Sequence, residues 1–552
     1  MINSFIFILF YLFILFSGRG LIIIVDKLTK QNYLDSKIYD YPIWIFYPLL
    51  FLFFIGNSVL IFNFFTGSKS LLLIIFVFLP IFFNIFNLKN IQFVKFNRFA
   101  YFFALFFLGM SSNTITFHQD SASYHLAYQE FIRTEKIVLG LSNLHVRYGF
   151  SSMSDYINSF FWFKENFLFV HFVNLIFIGT FYIFLIWIAS NKNDLNDHLL
   201  VFTITLYGIL DNFGIEGGKN GFFDIDSVGK QDGAFGILFF FSNLFIFKYI
   251  NNKINFSNKD LRFLIYLILF SIQFRIFGFT LLLGLLFIVY KYKNKIDFRI
   301  FYFPTLIGLL WIFKNFLITS CLVFPIPQTC LNSKWKYPYL IESQNKELRS
   351  FHNAFNIRSE NFIEWYIKWS ERYLNYYISV NFILSLIFIL VVSILFFKIN
   401  KNFNKKIVSS FYIFIFLFLW LVSAPTIRFG YGIFLTLFIY ISYFFKNPRI
   451  QIVEKLVNKS NFLVLLIFLC VLTTPLFNNY KFSNNYFKVR EIIPEKIQYT
   501  KNSSNWGYSV ETKEKEYLEF CWINKNCIPP VNYRIDEKFF YSYRLIFVES
   551  GS

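Results

Sequence analysis

The chain has 552 residues, of which 56% are hydrophobic and only 15% are charged, and its net charge is +20. A soluble domain averages about 25% charged residues, whereas the apolar residues here come in runs of about 20, the length that crosses the hydrocarbon core of a bilayer. These values exclude a soluble globular protein. Because the positive charges lie in short loops between apolar runs rather than in one patch, they also argue against nucleic-acid binding.

Apolar runs predict membrane-spanning helices along most of the chain. The predicted spans are 2–24, 43–65, 70–87, 98–114, 166–190, 198–214, 233–248, 262–273, 276–290, 300–318, 379–397, 408–424, 430–445 and 461–477. Gly18, Arg19 and Gly20 interrupt the first run, which we interpret as a span with a basic inner end rather than a cleaved signal peptide. The sequence thus predicts an all-α polytopic membrane protein with about 13–14 transmembrane helices in 1–477, followed by a small extracytoplasmic tail, 478–552.

Charge in the connectors assigns the two sides of the membrane. The connectors with most positive charge hold 19 Lys and Arg against three acids; they are 88–98, 248–262, 291–299, 398–406 and 446–459. Positive connectors face the cytoplasm. The remaining long segments therefore fall outside, namely 115–165, 215–232, 319–378 and 478–552. This pattern predicts a bacterial cytoplasmic-membrane protein whose functional face is extracytoplasmic.

Four of the five cysteines form close pairs in segments assigned to the outside, Cys321 with Cys330 and Cys521 with Cys527. Disulfides form outside the cytosol, and these spacings do not suit the CxxC knuckles of structural zinc sites. We therefore predict two disulfides, Cys321–Cys330 and Cys521–Cys527. Cys470 lies in a span and is predicted to be a buried free thiol.

The outer segment 118–156 holds the residues best suited to acid–base chemistry. Asp120 stands where the chain leaves the membrane, close to His118 and His125. Partial desolvation raises the pKa of a carboxyl group and makes it a better proton acceptor for a sugar hydroxyl. We predict that Asp120 is a general base and that His118, Tyr124 and His125 orient it or the acceptor. The alternative is that Asp120 only caps an interfacial helix.

The same stretch predicts a helix lying in the membrane interface from Asp120 to Thr134. Asp120 and Tyr124 share one face of it at i,i+4. Its apolar side chains are expected to rest on lipid or on protein.

A second outer stretch, 216–236, is rich in glycine and acids. Asp224 and Asp226 form a D-x-D pair whose hard oxygens suit a divalent cation, the one cofactor that the sequence leaves open. A solvated turn accounts equally for such a stretch, because Gly and Asp dominate turns. Asp232 is better placed, since it stands at the outer end of the next span.

Four basic residues stand at the outer membrane edge: Arg147, Arg275, Lys314 and Arg428. Charges in or beside apolar spans are costly and usually functional, and arginine binds phosphate through a bidentate fork. We predict that some of the four hold the phosphate of a lipid-linked donor. The alternative is that each side chain only snorkels to the interface.

Several sequence blocks resemble an uncharacterised family of large bacterial membrane proteins. The blocks are YHLAYQEFIRTEKIVLGLSNLHVRYGFSS, KNFLITSCLVFPIPQTC with SKWKYP, APTIRFGYG and CWINKNCIPP. That family in turn resembles the GT-C glycosyltransferases, multi-span enzymes that use polyprenyl-phosphate sugars outside the cytoplasmic membrane. The resemblance implies an acidic base in the first large outer loop, and Asp120 is at the matching position. In many GT-C enzymes that loop follows the first span, whereas here it follows the fourth.

Together these features predict a membrane glycosyltransferase that moves a sugar from a polyprenyl-phosphate donor to a glycan or lipid acceptor. A lipid-linked glycan flippase or transporter and an O-antigen-type polymerase or ligase are the alternatives. A non-catalytic subunit whose outer loops bind a partner also remains open. The charges cluster at the outer edge rather than at mid-span, which favours an enzyme over a transporter.

Overall fold

Long apolar helices make up most of the structure. The computed structural model describes residues 1–29, 37–87, 98–113, 115–117, 120–162, 166–191, 194–212, 227–228, 231–251, 255–349, 407–423, 427–448, 460–478, 498–501, 508–511, 522–525 and 535–548, with a few residues between 361 and 399.

The helices occur in the order that the apolar runs predict. They are α1 (Ile2–Thr29), α2 (Tyr47–Asn63), α3 (Leu71–Ile85), α4 (Arg98–Met110), α5 (Leu126–Thr134), α6 (Met153–Phe160), α7 (Leu168–Asn191), α8 (Leu195–Asn212), α9 (Asp232–Ile250), α10 (Asn258–Phe274), α11 (Leu281–Tyr292), α12 (Tyr302–Thr319), α13 (Pro338–Arg349), α14 (Ile407–Ser423), α15 (Ile427–Phe444) and α16 (Ser460–Asn478).

Short two-stranded ladders join segments outside the helices. They pair β1 (Lys37–Ile38) with β2 (Tyr41–Pro42), β3 (Thr116–Phe117) with β4 (Ser227–Val228), β5 (Phe397–Ile399) with β6 (Phe445–Pro448), β7 (Gln498–Lys501) with β8 (Tyr508–Glu511), and β9 (Ile535–Phe540) with β10 (Tyr543–Val548). The tail thus forms β-hairpins where it is described, which differs from the all-α expectation. The sequence of β10, YRLIFV, is rich in the aromatic and branched residues that favour strands.

Every predicted span except 379–397 coincides with a helix, and 379–397 lies almost wholly outside the described residues. Six described helices are long and apolar enough to cross a membrane: Ile2–Thr29, Ile43–Asn63, Leu168–Asn191, Asp232–Ile250, Ile276–Lys295 and Phe298–Thr319. Four further apolar helices are shorter: Leu71–Ile85, Leu195–Leu210, Gly430–Tyr443 and Ser460–Thr473. The chain is therefore a multi-span membrane protein.

Burial separates central from peripheral helices. α7 and α9 are enclosed by other helices along nearly their whole length, whereas α11 and α12 keep most of their surface exposed. α9 packs closely against α15, where a Cβ added at Gly432 would lie 2.9 Å from the Phe239 side chain. Small residues let apolar helices approach each other in this way. We infer that α11 and α12 border the lipid.

The Gly18–Arg19–Gly20 interruption lies inside a continuous α1 and allows two neighbouring helices to approach it. A Cβ at Gly18 would lie 2.2 Å from the carbonyl oxygen of Tyr47, and one at Gly20 would lie 1.8 Å from that of Pro80. Arg19 between them is buried and donates to the side chain of Asn84 on α3. The glycines therefore serve helix packing.

The predicted break between two spans at Gln273–Arg275 is confirmed. α10 ends at Phe274, and Arg275 has extended backbone (φ −150°, ψ 144°) before a 3₁₀ turn leads into α11. α10 and α11 are therefore separate helices, and Arg275 lies in the turn between them.

Candidate functional site

Segments far apart in the sequence meet at one end of the helical bundle, called here the site end. β3 pairs with β4, which joins the two outer stretches that the sequence singled out. The Ser121 hydroxyl donates to the carbonyl oxygen of Val228 in the same region. The Ser68 amide, just beyond α2, donates to the Ile132 carbonyl at 2.9 Å. Segments that charge assigned to one side of the membrane thus contact each other.

Asp120 lies at the start of a π-helical turn, Ser121–His125, that continues into α5. The turn is wider than the regular helix predicted here, so the residues after Asp120 are rotated relative to that prediction. The Asp120 side chain makes no capping hydrogen bond to this turn, so capping does not account for it. Leu126 and Ile132 are buried, which means that α5 rests on protein rather than on lipid. Short π segments within helices are frequent at functional sites.

A buried carboxylate holds the His125 ring. His125 Nδ1 lies 2.9 Å from Asp155 Oδ1, and Gln129 Nε2 donates to the same oxygen at 3.0 Å. Trp162 Nε1 donates in turn to Gln129 Oε1 at 2.8 Å. All four side chains are buried. A histidine bonded to a carboxylate through one ring nitrogen has its orientation fixed and exchanges protons through the other.

The two described histidines of the outer loop have opposite electrostatic surroundings. Burial alone would lower the pKa of His125, but the neighbouring Asp155 carboxylate outweighs it and raises this pKa above its ordinary value. Burial lowers the pKa of His145 to about 3, and the Arg147 and His125 charges add to the effect. His145 is therefore a neutral ring near neutral pH, whereas the Asp155 carboxylate stabilises the protonated form of His125.

Arg275 and Asp232 form an ion pair at the site end. Asp232 is the first residue of α9, as predicted, and its buried carboxylate contacts the guanidinium of Arg275 in the turn after α10. A guanidinium carries five N–H donors. The pair therefore fixes the position of the Arg275 guanidinium at this end of the bundle.

Several charges converge on the hydroxyl of Tyr124. Burial raises the pKa of Tyr124, and the carboxylate of Asp120 raises it further. The charges of Arg147 and Arg275 act on the same group and lower its pKa. Its ring packs against His125, with centroids 4.3 Å apart. Tyr124 is therefore within electrostatic reach of the predicted base and of two of the predicted phosphate ligands.

Arg147 and Lys314 each have partners within the protein. Arg147 Nη2 donates to Glu347 Oε1 on α13 at 2.7 Å, with both side chains partly exposed. The Lys314 ammonium is completely buried, donates to the Ser151 hydroxyl and lies 3.4 Å from the centre of the Trp311 ring. Arg147 is thus accessible at the surface of the site end, whereas Lys314 lies inside it.

The tail docks beside the candidate site. The Trp522 amide donates to the Ala122 carbonyl at 2.7 Å, inside the π turn. The carboxylate of Glu135 accepts from Lys525 and also from Arg544, at 3.1 Å for Arg544 Nη1. The tail segment 522–525 therefore binds the outer loop at both ends of α5, and Arg544 of the hairpin binds it at the second end.

The predicted Cys321–Cys330 disulfide is present, and Cys470 is a buried free thiol as predicted. The disulfide loop packs against α13 and against the segment that carries Arg147. The other predicted site residues lie outside the described residues: His118, Asp224, Asp226, Cys521 and Cys527. Arg428 lies in α15, but its side chain is outside the described part.

Metal-binding geometry is not found in the part of the chain that the structure describes, where no three His, Cys, Asp or Glu side chains gather. The weak cation candidates, Asp224 and Asp226, are not part of that region.

Sequence reasoning missed the residues that support the site rather than those at its surface. Asp155, Glu135 and Glu347 each contact a residue at least 30 positions away. Only Gln129 could have been predicted from local sequence. It follows His125 at i,i+4, and residues at this spacing are neighbours on a helix.

Comparison with known proteins places most of the chain in one family. A family model described as a domain of unknown function, DUF8201, matches residues 1–435. Neither the curated proteins nor the solved structures include a significant match.

Proposed function

The chain belongs to the DUF8201 family, and we propose that it is a membrane glycosyltransferase of the GT-C type. It moves a sugar from a polyprenyl-phosphate donor to a glycan or lipid acceptor at the outer face of the bacterial cytoplasmic membrane. The observation that carries the proposal is that the turn with Asp120 and Tyr124, the Arg275–Asp232 ion pair and the Arg147–Glu347 ion pair lie at one end of the bundle. The charges of Asp120, Arg147 and Arg275 all act there on Tyr124. A carboxylate and two guanidinium groups at the same end of a helical bundle suit proton abstraction near a phosphate leaving group.

In the proposed step, the Asp120 carboxylate accepts the proton of the acceptor hydroxyl. The oxygen of that hydroxyl attacks the anomeric carbon of the donor and forms the new glycosidic bond. The bond between the anomeric carbon and the phosphate oxygen breaks, and its electron pair leaves with the polyprenyl phosphate. Positive charge near the leaving phosphate stabilises this transition state.

Arg275 and Arg147 are the proposed phosphate ligands. Asp232 and Glu347 hold these guanidinium groups in place, and a guanidinium group binds phosphate oxygens through a fork of N–H donors. Lys314 has a supporting role in this proposal, because its ammonium is enclosed by Ser151 and aromatic rings. The Asp155 carboxylate also interacts electrostatically with the Lys314 ammonium.

His125 is proposed as a positioning residue. Its ring is fixed by Asp155 and packs on Tyr124, and the Asp120 charge reaches it. The network from Trp162 to His125 therefore sets the position of the Tyr124 ring beside the base.

The test is the activity of Asp120→Asn in a strain that lacks the native gene. We expect loss of the surface glycan, and, with purified protein in liposomes, loss of polyprenyl-phosphate release from a polyprenyl-phosphate sugar. Removal of a general base typically costs about 10²–10⁴-fold in rate. Glu342→Gln, at an exposed acid on α13, is the matched control and should retain activity.

Glycan at the wild-type level in Asp120→Asn would show that Asp120 is not the base. If the labelled lipid-linked sugar crosses the liposome membrane and no new glycosidic bond forms, the protein is a transporter and not a transferase.

A further inference from the structure

The hairpin formed by β9 and β10 ends in an exposed aromatic tip, defined here as Phe539, Phe540 and Tyr541. Their exposed fractions are 75%, 43% and 90%. Phe540 pairs with Tyr543 across a two-residue turn. Three consecutive aromatic residues at a turn leave a large apolar surface uncovered, and such surface marks an interaction site.

The backbone at the tip is better suited to other residues. Tyr541 has a φ of 53°, in the left-handed region. Two-residue hairpin turns favour Asn or Gly at such positions, because a bulky side chain there is strained. A tyrosine is therefore not what the turn itself requires. An observed strain of this kind points to a role of the side chain outside the fold.

The hairpin adjoins the lipid-facing side of the bundle directly beside its tip. The Tyr543 hydroxyl donates to the carbonyl oxygen of Phe64, the residue at the end of α2, at 2.7 Å. The Phe64 ring stacks on Phe313 of α12, with centroids 5.9 Å apart. An exposed apolar row runs along one side of α12: Tyr302, Leu306, Leu309 and Phe313. The aromatic tip thus lies level with the ends of membrane-spanning helices, at the edge of this row.

Lysines flank the aromatic tip. Lys136 Nζ donates to the Ser542 hydroxyl at 3.0 Å, and Lys334 Nζ lies 5.6 Å from the centre of the Phe540 ring. Lys538 precedes the tip and is exposed. Tyr and Trp are enriched where proteins meet the headgroup layer, and lysines near the surface of a membrane attract anionic lipids.

We propose that the aromatic tip inserts into the headgroup region of the lipid bilayer and anchors the tail to the membrane beside α2 and α12. The partner is the bilayer that the helices already span. The anchor fixes the position of the hairpin relative to the membrane surface. Arg544 of the same hairpin binds Glu135 at the end of α5. This role is independent of the proposed glycosyl transfer.

The test places a fluorescent amino acid at position 541 by amber suppression in the full chain. The protein is reconstituted in phosphatidylcholine–phosphatidylglycerol vesicles with nitroxide-labelled lipids, the label being in the headgroup or in the acyl chain. We expect at least twofold quenching at position 541 by the headgroup label. The same amino acid at position 342, an exposed residue of α13 at the site end, is the control and should be quenched far less.

A second variant, Tyr541→Asn, relieves the backbone strain and removes the aromatic ring. If the ring is an anchor, amide exchange in β10 becomes several-fold faster in vesicles. If the ring is not an anchor, amide exchange in β10 stays unchanged or becomes slower, because Asn suits the left-handed backbone at position 541 better than Tyr. Equal quenching at 541 and 342 would overturn the proposal. A blue-shifted emission at 541 without lipid quenching would also overturn it and indicate a protein partner.

Discussion

The buried Asp155 carboxylate holds His125 in place, so removal of its charge should lower the free energy of unfolding. Asp155→Asn keeps a hydrogen-bonding side chain but removes the buried charge that accepts from Gln129 and faces His125. We expect a loss of about 1.5–3 kcal/mol in unfolding free energy, the range for hydrogen bonds to charged groups. Thermal unfolding in detergent measures it. Asp536→Asn, in the hairpin and away from the network, is the control; equal stability of the two variants would contradict a structural role for Asp155.

The two histidines predict opposite pH dependences. The pKa of His125 is raised in the folded state, so its contribution to stability is fully present below its ordinary pKa of 6.5 and is lost as the pH rises through the folded-state pKa. The pKa of His145 is lowered to about 3, so its contribution is present above 6.5 and is lost as the pH falls towards 3.

Thermal unfolding of two variants as a function of pH separates these contributions. His125→Gln should flatten the wild-type decrease in melting temperature above pH 6.5. His145→Gln should flatten the decrease below pH 6.5. If His125→Gln instead flattens the decrease below pH 6.5 and His145→Gln the decrease above it, the pKa shifts are assigned to the wrong histidines.

Among single residues, the charged ones at the ends of apolar runs could be predicted, and the acids that support them from distant segments could not. Asp232 and Arg275 stood out because charge is rare in apolar sequence, and the structure pairs them. Asp155 looks in the sequence like any acid in the first turn of a helix. Only the packing of α6 against α5 brings it to His125, and such contacts between distant residues leave no local pattern.

At the scale of elements, Glu135 joins two parts of the tail to the end of α5. Glu135→Gln removes the charge shared by Lys525 and Arg544. We expect amide exchange in Tyr543–Val548 to become about tenfold faster, which corresponds to about 1.4 kcal/mol. Hydrogen-exchange mass spectrometry measures this change. Glu537→Gln removes a carboxylate that binds Arg544 within the hairpin and is the control, with a smaller effect expected.

The Cys321–Cys330 disulfide closes a short loop, so its contribution is local. By the loop-entropy relation it adds at most about 2–3 kcal/mol. We expect the double variant Cys321→Ser, Cys330→Ser to remain folded, with faster exchange confined to α13 and the segment around Arg147. Peptide mass spectrometry without reduction checks the pairing and also tests the predicted Cys521–Cys527 bond. Global unfolding of the double variant would contradict a local role.

Apolar run length located the helices well, because the thickness of a bilayer fixes how long a spanning helix must be. The division at Arg275 and the continuity of α1 through Gly18 and Gly20 both follow from chemistry visible in the sequence. The π turn at Ser121–His125 and the docking of the tail do not, because they depend on hydrogen bonds such as that from Trp522 to Ala122. The hairpins lay in a segment whose polar composition gave no periodic signal.

For the molecule as a whole, the predicted orientation has a direct test. A cysteine introduced at position 342, at the site end, should react with a membrane-impermeant maleimide in intact cells. A cysteine at position 293, in an exposed turn at the opposite end, should react only after lysis. Wild-type protein gives the background from its own thiols. The reverse pattern would place the site end in the cytoplasm and remove the basis for an extracytoplasmic transferase.

The contact between Glu135 and Arg544 also bears on how the protein is made. The two residues are 409 positions apart, so at about 5–20 residues per second the ribosome needs roughly 20–80 seconds to reach the second after the first. During that interval α5 and its π turn are already synthesised, but the hairpin that binds them is not. The region around Asp120 therefore stays partly uncovered until the β9–β10 hairpin is synthesised. A chaperone that binds this end of the bundle would act on the chain during that interval.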